Sequence, residues 1–130
     1  MLRIYTLCLA GIVGLGLGAA GCTGGGHGGR FQVAWDLAWA GDGAATCTSA
    51  GVTEVDLDVL DTYTNLDYHD SFSCSVYQGT SQRLPVGDYT VAVRAYGASG
   101  ALASEAILPD VYPIDSGIVT PLPGVTLIVQ

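Results

Sequence analysis

The chain has 130 residues, with 4 Lys+Arg against 12 Asp+Glu, a formal net charge of −8 and no lysine at all. That length suits one domain, and that balance leaves no basic surface for nucleic-acid phosphates or for anionic lipid headgroups. Only 12% of residues are charged while 49% are hydrophobic, so a modest core can be buried and global disorder is not expected.

Residues 1–21, "MLRIYTLCLAGIVGLGLGAAG", open with one positive charge, Arg3. An apolar run from Ile4 to Leu17 follows, and small residues close the segment. These are the three parts of a secretory signal peptide. A transmembrane anchor is the competing reading, but the run is short against the roughly 20 residues of a bilayer span. The segment ends in Ala19-Ala20-Gly21-Cys22, which resembles a bacterial lipobox. The resemblance implies cleavage before Cys22, a diacylglycerol on its sulfur and usually an acylated new amino terminus. Two or three acyl chains anchor firmly, at about 0.8 kcal/mol for each buried methylene. Ordinary cleavage nearby, leaving Cys22 as a stray thiol, is the alternative. Thr23 is compatible with outer-membrane sorting in that family.

Residues 22–30 then read as the lipidated cysteine and a flexible tether. "TGGGHGG", Thr23 to Gly29, has almost no side chain able to pack, and its reach is roughly 15 Å by random-coil scaling. His27 sits inside this tether, without the partners a metal would need.

From Phe31 to Gln130 the chain alternates with period two. In "FQVAWDLAW", Phe31, Val33, Trp35, Leu37 and Trp39 share one face, the pattern of a half-buried strand. Ala40 to Gly51 reads as a small-residue loop carrying Cys47. In "VTEVDLDVLD", Val55, Leu57 and Val59 face inward and Glu54, Asp56 and Asp58 outward. Thr62 to Asp70 reads as a polar loop. "SFSCSVYQ" reads as a strand with Phe72, Cys74 and Val76 on one face. "RLPVGDYTVAVRAY" places a turn at Pro85 and Gly87, then a strand with Tyr89, Val91, Val93 and Ala95 inward. Gly97 to Gly100 signals a hairpin. Ala101 to Ile114 supplies one or two edge strands, because Pro109 and Pro113 each remove a ladder donor. Val125 to Val129 ends the chain as a strand. No stretch keeps a 3.6-residue period over a helix's length. About seven strands in residues 31–130 predict an all-β fold, an antiparallel β-sandwich.

Of the four cysteines, Cys8 leaves with the leader and Cys22 takes the lipid. Cys47 and Cys74 remain as one pair in an oxidising compartment, and a disulfide is expected. A metal site would have to recruit His69, and three ligands at irregular spacing are a weak pattern.

"LPVGDYTVAV", Leu84 to Val93, resembles the Leu-Pro-x-Gly-x-Tyr turn and strand of Ig-like and carboxypeptidase-regulatory-like (transthyretin-like) sandwich domains. The resemblance implies that Tyr89 is a corner tyrosine, with its ring in the core and its hydroxyl on loop backbone. Trp35 is read as core. The layout of leader, glycine tether, cysteine pair and this strand is similar to small lipoproteins of myxobacteria and their relatives.

His69-Asp70-Ser71 holds the residue types of a hydrolase triad, but neighbours along a strand point to opposite faces and cannot form one by themselves. "GASGA", Gly97 to Ala101, lacks the final glycine of a nucleophile elbow. The acidic cluster is the sharper candidate. Glu54, Asp56 and Asp58 lie about 6.6 Å apart along one strand face, followed by Asp61, Asn65, Asp67 and Asp70. Asp56, Asp58, Asp61 and Asp67 are the candidate calcium ligands, since calcium takes six to eight oxygens. Alternatively the acids are a solvated face that keeps the domain off an anionic membrane. Tyr63, Tyr68, Tyr77, Tyr96 and Tyr112 are outward or loop tyrosines, which can form a sugar- or protein-binding surface or simply lie scattered. The expected function is that of an exported, membrane-anchored lipoprotein of the outer membrane, a non-enzymatic structural or recognition module without cofactor. Its partners would be the membrane and an envelope protein or glycan. A calcium-dependent adhesion module is the alternative, and a secreted hydrolase the second.

Overall fold

A computed structural model describes residues 28–41 and 43–130. The proposed leader, the lipidation site Cys22 and the tether up to His27 lie outside the described residues. The strands in chain order are β1 (Arg30–Trp39), β2 (Ala44–Ala45), β3 (Val52–Asp61), β4 (Asp67–Ser73), β5 (Gln78–Thr80), β6 (Gly87–Gly97), β7 (Leu102–Ile107), β8 (Tyr112–Ile114), β9 (Val119–Pro121) and β10 (Val125–Val129), with one helical turn, α1 (Cys47–Ala50). They form two sheets. In the first, β1 is central: β9 and β10 pair with it in parallel on one side, and β2 and β5 antiparallel on the other. The second is antiparallel, in the order β4-β3-β6-β7, with β8 continuing alongside β6. The parallel pairing brings together the first and last strands of the domain, which no local pattern in the chain reveals. Pro121 and Pro123 lack ladder donors, and the edge strand breaks between β9 and β10 at this place.

The core follows from the period-two faces. Phe31, Val33, Trp35 and Leu37 of β1 meet Val55, Leu57 and Val59 of β3 and Tyr89, Val91 and Val93 of β6, all of them buried. Fully burying an aliphatic side chain of this size contributes roughly 1.5–3 kcal/mol. Trp35 packs on Phe72 with ring centroids 5.9 Å apart, and its indole Nε1 donates to the Cys74 carbonyl at 3.1 Å. Cys47 and Cys74 form the disulfide, with both residues buried against this tryptophan's end of the core. Tyr89 is fully buried, and its hydroxyl donates to the Pro85 carbonyl at 2.6 Å. Loss of solvent pushes that hydroxyl's pKa up to about 12, with help from the Asp61 charge.

Three segments differ from the sequence reading. The domain starts earlier than Phe31. Gly29 exchanges backbone hydrogen bonds with Leu84 (3.0 and 2.7 Å), Arg30 pairs with Val119, and a side chain at Gly29 would collide with the Asp115 and Ile118 carbonyls. Gly28 to Arg30 thus belong to the fold rather than to a free tether. The small-residue loop Ala40 to Gly51 contains α1. Thr46 and Ser49 close a capping box on it, and Gly51 ends it at φ 66°. Finally, the segment expected as a polar loop, Thr62 to Asp70, folds back early. A tight turn held by Asp61, with Asn65 at φ 57°, returns the chain so that β4 begins at Asp67. Asparagine tolerates that left-handed backbone well. The strand then stops where Cys74 to Val76 wind into a 3₁₀ turn, ended by Tyr77 at φ 56°.

Candidate functional site

The outer face of the second sheet carries a row of charged side chains. Along β3, Glu54, Asp56 and Asp58 point away from the core, because Val55, Leu57 and Val59 occupy the inner face. Along β4 the same alternation sends Asp67, His69, Ser71 and Ser73 outward, while Tyr68, Asp70 and Phe72 are half-buried on the other side. Register does the rest. Asp58 stands opposite His69 on β4, and Asp56 stands between Ser71 on β4 and Arg94 on β6. Arg94 in turn faces Glu105 on β7.

The result is one hydrogen-bonded row across four strands. Arg94 donates through Nε to Glu105 and through Nη1 to Asp58 Oδ2. Asp58 Oδ1 lies 2.6 Å from His69 Nδ1, and His69 Nε2 lies 3.0 Å from Ser71 Oγ. Asp56 Oδ2 also approaches Nε2, at 3.4 Å. The hydrogen bond to Asp58, together with the charges of Asp58 and Asp56, raises the His69 pKa above its ordinary value despite some desolvation. Arg94 is held still more firmly protonated by Glu105 and Asp58.

The order Asp58–His69–Ser71 has the connectivity of a hydrolase triad. The orienting acid comes from the neighbouring strand, whereas Asp70 points the other way and accepts from the Gln82 backbone N–H. The sequence reading missed this set because the signal needs two facts at once: the i, i+2 spacing of His69 and Ser71, and the β3–β4 register. Here the orienting acid is shared, because Asp58 engages both His69 and Arg94. The same row is an ion-pair ladder running from Glu105 through Arg94 and Asp58 to His69.

The four candidate calcium ligands are not brought together. Asp58 has both oxygens engaged. Asp61 lies on the inner face, buried, where Oδ1 accepts from the backbone N–H groups of Tyr63 and Thr64 at 2.8 and 3.1 Å. Those bonds, with Thr64 first, hold its carboxyl below the usual range. Asp67 is exposed at the start of β4. Among the described residues no group of three or more acidic, histidine or cysteine side chains is arranged to hold a metal ion.

Asp56 departs furthest from expectation. It lies on the outward face, yet its side chain is only 6% exposed, and its Oδ1 is closed to solvent without a hydrogen-bond partner. Beside it, the exposed Glu54 carboxyl is pushed up, first by a hydrogen bond to Asp56 and then by the Asp56 charge. The two acids line a cleft of about 370 Å³, walled by Thr53, Tyr96 and the Gly97–Gly100 turn between β6 and β7. Of the tyrosines, Tyr96 lines this cleft and Tyr63 is 94% exposed. Tyr68 packs on Tyr89 at 6.2 Å, Tyr112 packs against the core, and the Tyr77 hydroxyl accepts from the Cys47 backbone N–H.

Comparison of the chain with protein-family models, with curated proteins and with solved structures yields no match. The fold and the site define a class all the same: a disulfide-stapled, two-sheet all-β domain with a charged, hydrogen-bonded outer face.

Proposed function

We propose that this chain is an exported lipoprotein of the outer membrane. It is cut before Cys22 and lipidated there, and it presents a non-enzymatic β-sandwich for recognition at the cell envelope. One observation carries the reading. Cys47 and Cys74 are bonded to each other, so a chain cut at the lipobox-like site keeps one further cysteine, at its new amino terminus. A buried disulfide supports an oxidising, extracytoplasmic address, and that leftover cysteine is the residue a lipid needs. Gly28 and Gly29 join the sheets, so the tether is the short run from Thr23 to His27 and the domain sits close to the membrane. The net charge, −8 for the full chain and −9 once Arg3 leaves with the leader (3 Arg against 12 Asp+Glu), keeps it from lying down on anionic headgroups. The recognition surface is the outer face of β4-β3-β6-β7, where side chains are prearranged by the Glu105–Arg94–Asp58–His69 row.

The test is the intact mass of the protein purified from its native membranes, before and after reduction. The expected species begins at Cys22, carries acyl chains and gains two hydrogens on reduction. A species without lipid sinks the anchor and the address with it.

A further inference from the structure

Asp56 is a buried carboxylate on the outside of a sheet, and that needs a reason. Leaving a buried acceptor unpaired is costly, and more so for a charged one. Of its two oxygens, Oδ2 has His69 Nε2 within 3.4 Å, while Oδ1 has no partner. The nearest cation in register, Arg94, is already spent on Asp58 and Glu105. A second acid, Glu54, lines the same cleft, and its carboxyl is pushed up, first by a hydrogen bond to Asp56 and then by the Asp56 charge, so the two acids share one proton or one cation. The cleft lined by these two acids contains no Lys, Arg or His. The rest of its lining is Thr53, Tyr96 and the hairpin-turn residues Gly97, Ala98 and Gly100.

We propose that this cleft binds an organic cation, a guanidinium or primary ammonium group on a flexible chain, which donates to Asp56 Oδ1 and Glu54 and lies against the Tyr96 ring. Charge-assisted hydrogen bonds to carboxylates and an aromatic face are the two elements that recognise such groups. A bare metal ion fits less well. Only two carboxylates converge, no metal-holding group exists among the described residues, and about 370 Å³ is room for a chain rather than an ion. Oδ1 is closed in the unliganded form, so Glu54 is the movable part. It is exposed and unbranched, and it turns its carboxylate onto the incoming cation. The inference rests on reading this sheet face as the recognition surface and is independent of the lipid anchor.

The test is isothermal titration of the detergent-solubilised protein at low salt with two probes. One is agmatine, a free small cation. The other is a capped pentapeptide whose one charged residue is arginine. Saturable one-to-one binding is expected, weakened about tenfold or more by Asp56→Asn and by Glu54→Gln, the loss expected for a charge-assisted contact. Glu54 is exposed, so its variant folds even if Asp56→Asn does not. Asp110→Asn, an equal charge change on an exposed loop, leaves binding unchanged. Preference for agmatine identifies a small-molecule ligand and preference for the peptide a protein side chain; both support the site. Equal weakening by Asp110→Asn reduces the effect to net charge and overturns it. So does calcium displacing agmatine at these residues, or no saturable binding at about 10 mM probe, which leaves water as the partner of Asp56. A negative titration beside a lipidated mass removes the cation site alone, whereas a mass without lipid leaves the titration standing.

Discussion

At the scale of single residues, His69 is the most informative. Its ring bridges Asp58 and Ser71 and faces Asp56, and its pKa in the folded chain stands above the unfolded value near 6.5. A raised histidine pKa means that protonation favours the fold. The contribution is complete below the unfolded value and is lost as pH rises through the folded one. The ring is half exposed, so the effect is a modest shift of melting temperature. The wild type should exceed His69→Gln most at the acidic end of a series from about pH 5 to about pH 9, with the gap narrowing upward. A gap independent of pH would show that His69 acts by shape alone. Asp56 teaches a complementary lesson. Strand alternation put it on the correct face, but burial on that face depends on what stands on the neighbouring strands. Periodicity in one strand carries no information about that.

At the scale of elements, β4 and β5 show how packing overrides composition. The first half of β4, from Asp67 to Asp70, is polar enough to read as a loop. It becomes a strand because β3 offers it a paired edge and Phe72 offers it an inward anchor against Trp35. The Phe72 ring needs space, and Gly79 in β5 supplies it. A methyl group there would stand 2.5 Å from the ring carbons of Phe72, which cannot retreat without disturbing Trp35. Gly79→Ala should therefore destabilise the domain by roughly 1–3 kcal/mol, the range for overpacking a formed core, as measured by urea unfolding. A neutral result would mean that β5 shifts freely on β1. The register of β3 on β4 and β6 is set by the inward residues Val55, Leu57 and Val59. A slip by one residue would turn them to solvent and break the whole charged row.

At the scale of the whole molecule, the disulfide ties the turn before β3 to the end of β4, closing 27 residues of chain. A closure of that length contributes roughly 3–4 kcal/mol through the unfolded state. Replacing Cys47 and Cys74 together by alanine should lower the unfolding free energy by about that amount in urea titrations, with little change in the native sheets. A loss near zero would mean that Trp35 and the surrounding core already hold this end. The parallel pairing of β1 with β10 joins the two ends of the domain. Truncation at either terminus therefore reaches the same sheet.

The sequence by itself determined which side of each long strand faces inward and that the two sheets share one core. It also determined that Cys47 and Cys74 are the pair to be joined. These are consequences of local alternation and of residue inventory, which the chain states in order. Only the tertiary structure decided that a polar segment would become β4, that Asp58 would lie between His69 and Arg94, and that Asp56 would be sealed beside Glu54. Those outcomes depend on register between strands distant in the chain. Register is a property of two sequences matched against one core, so no single stretch contains it.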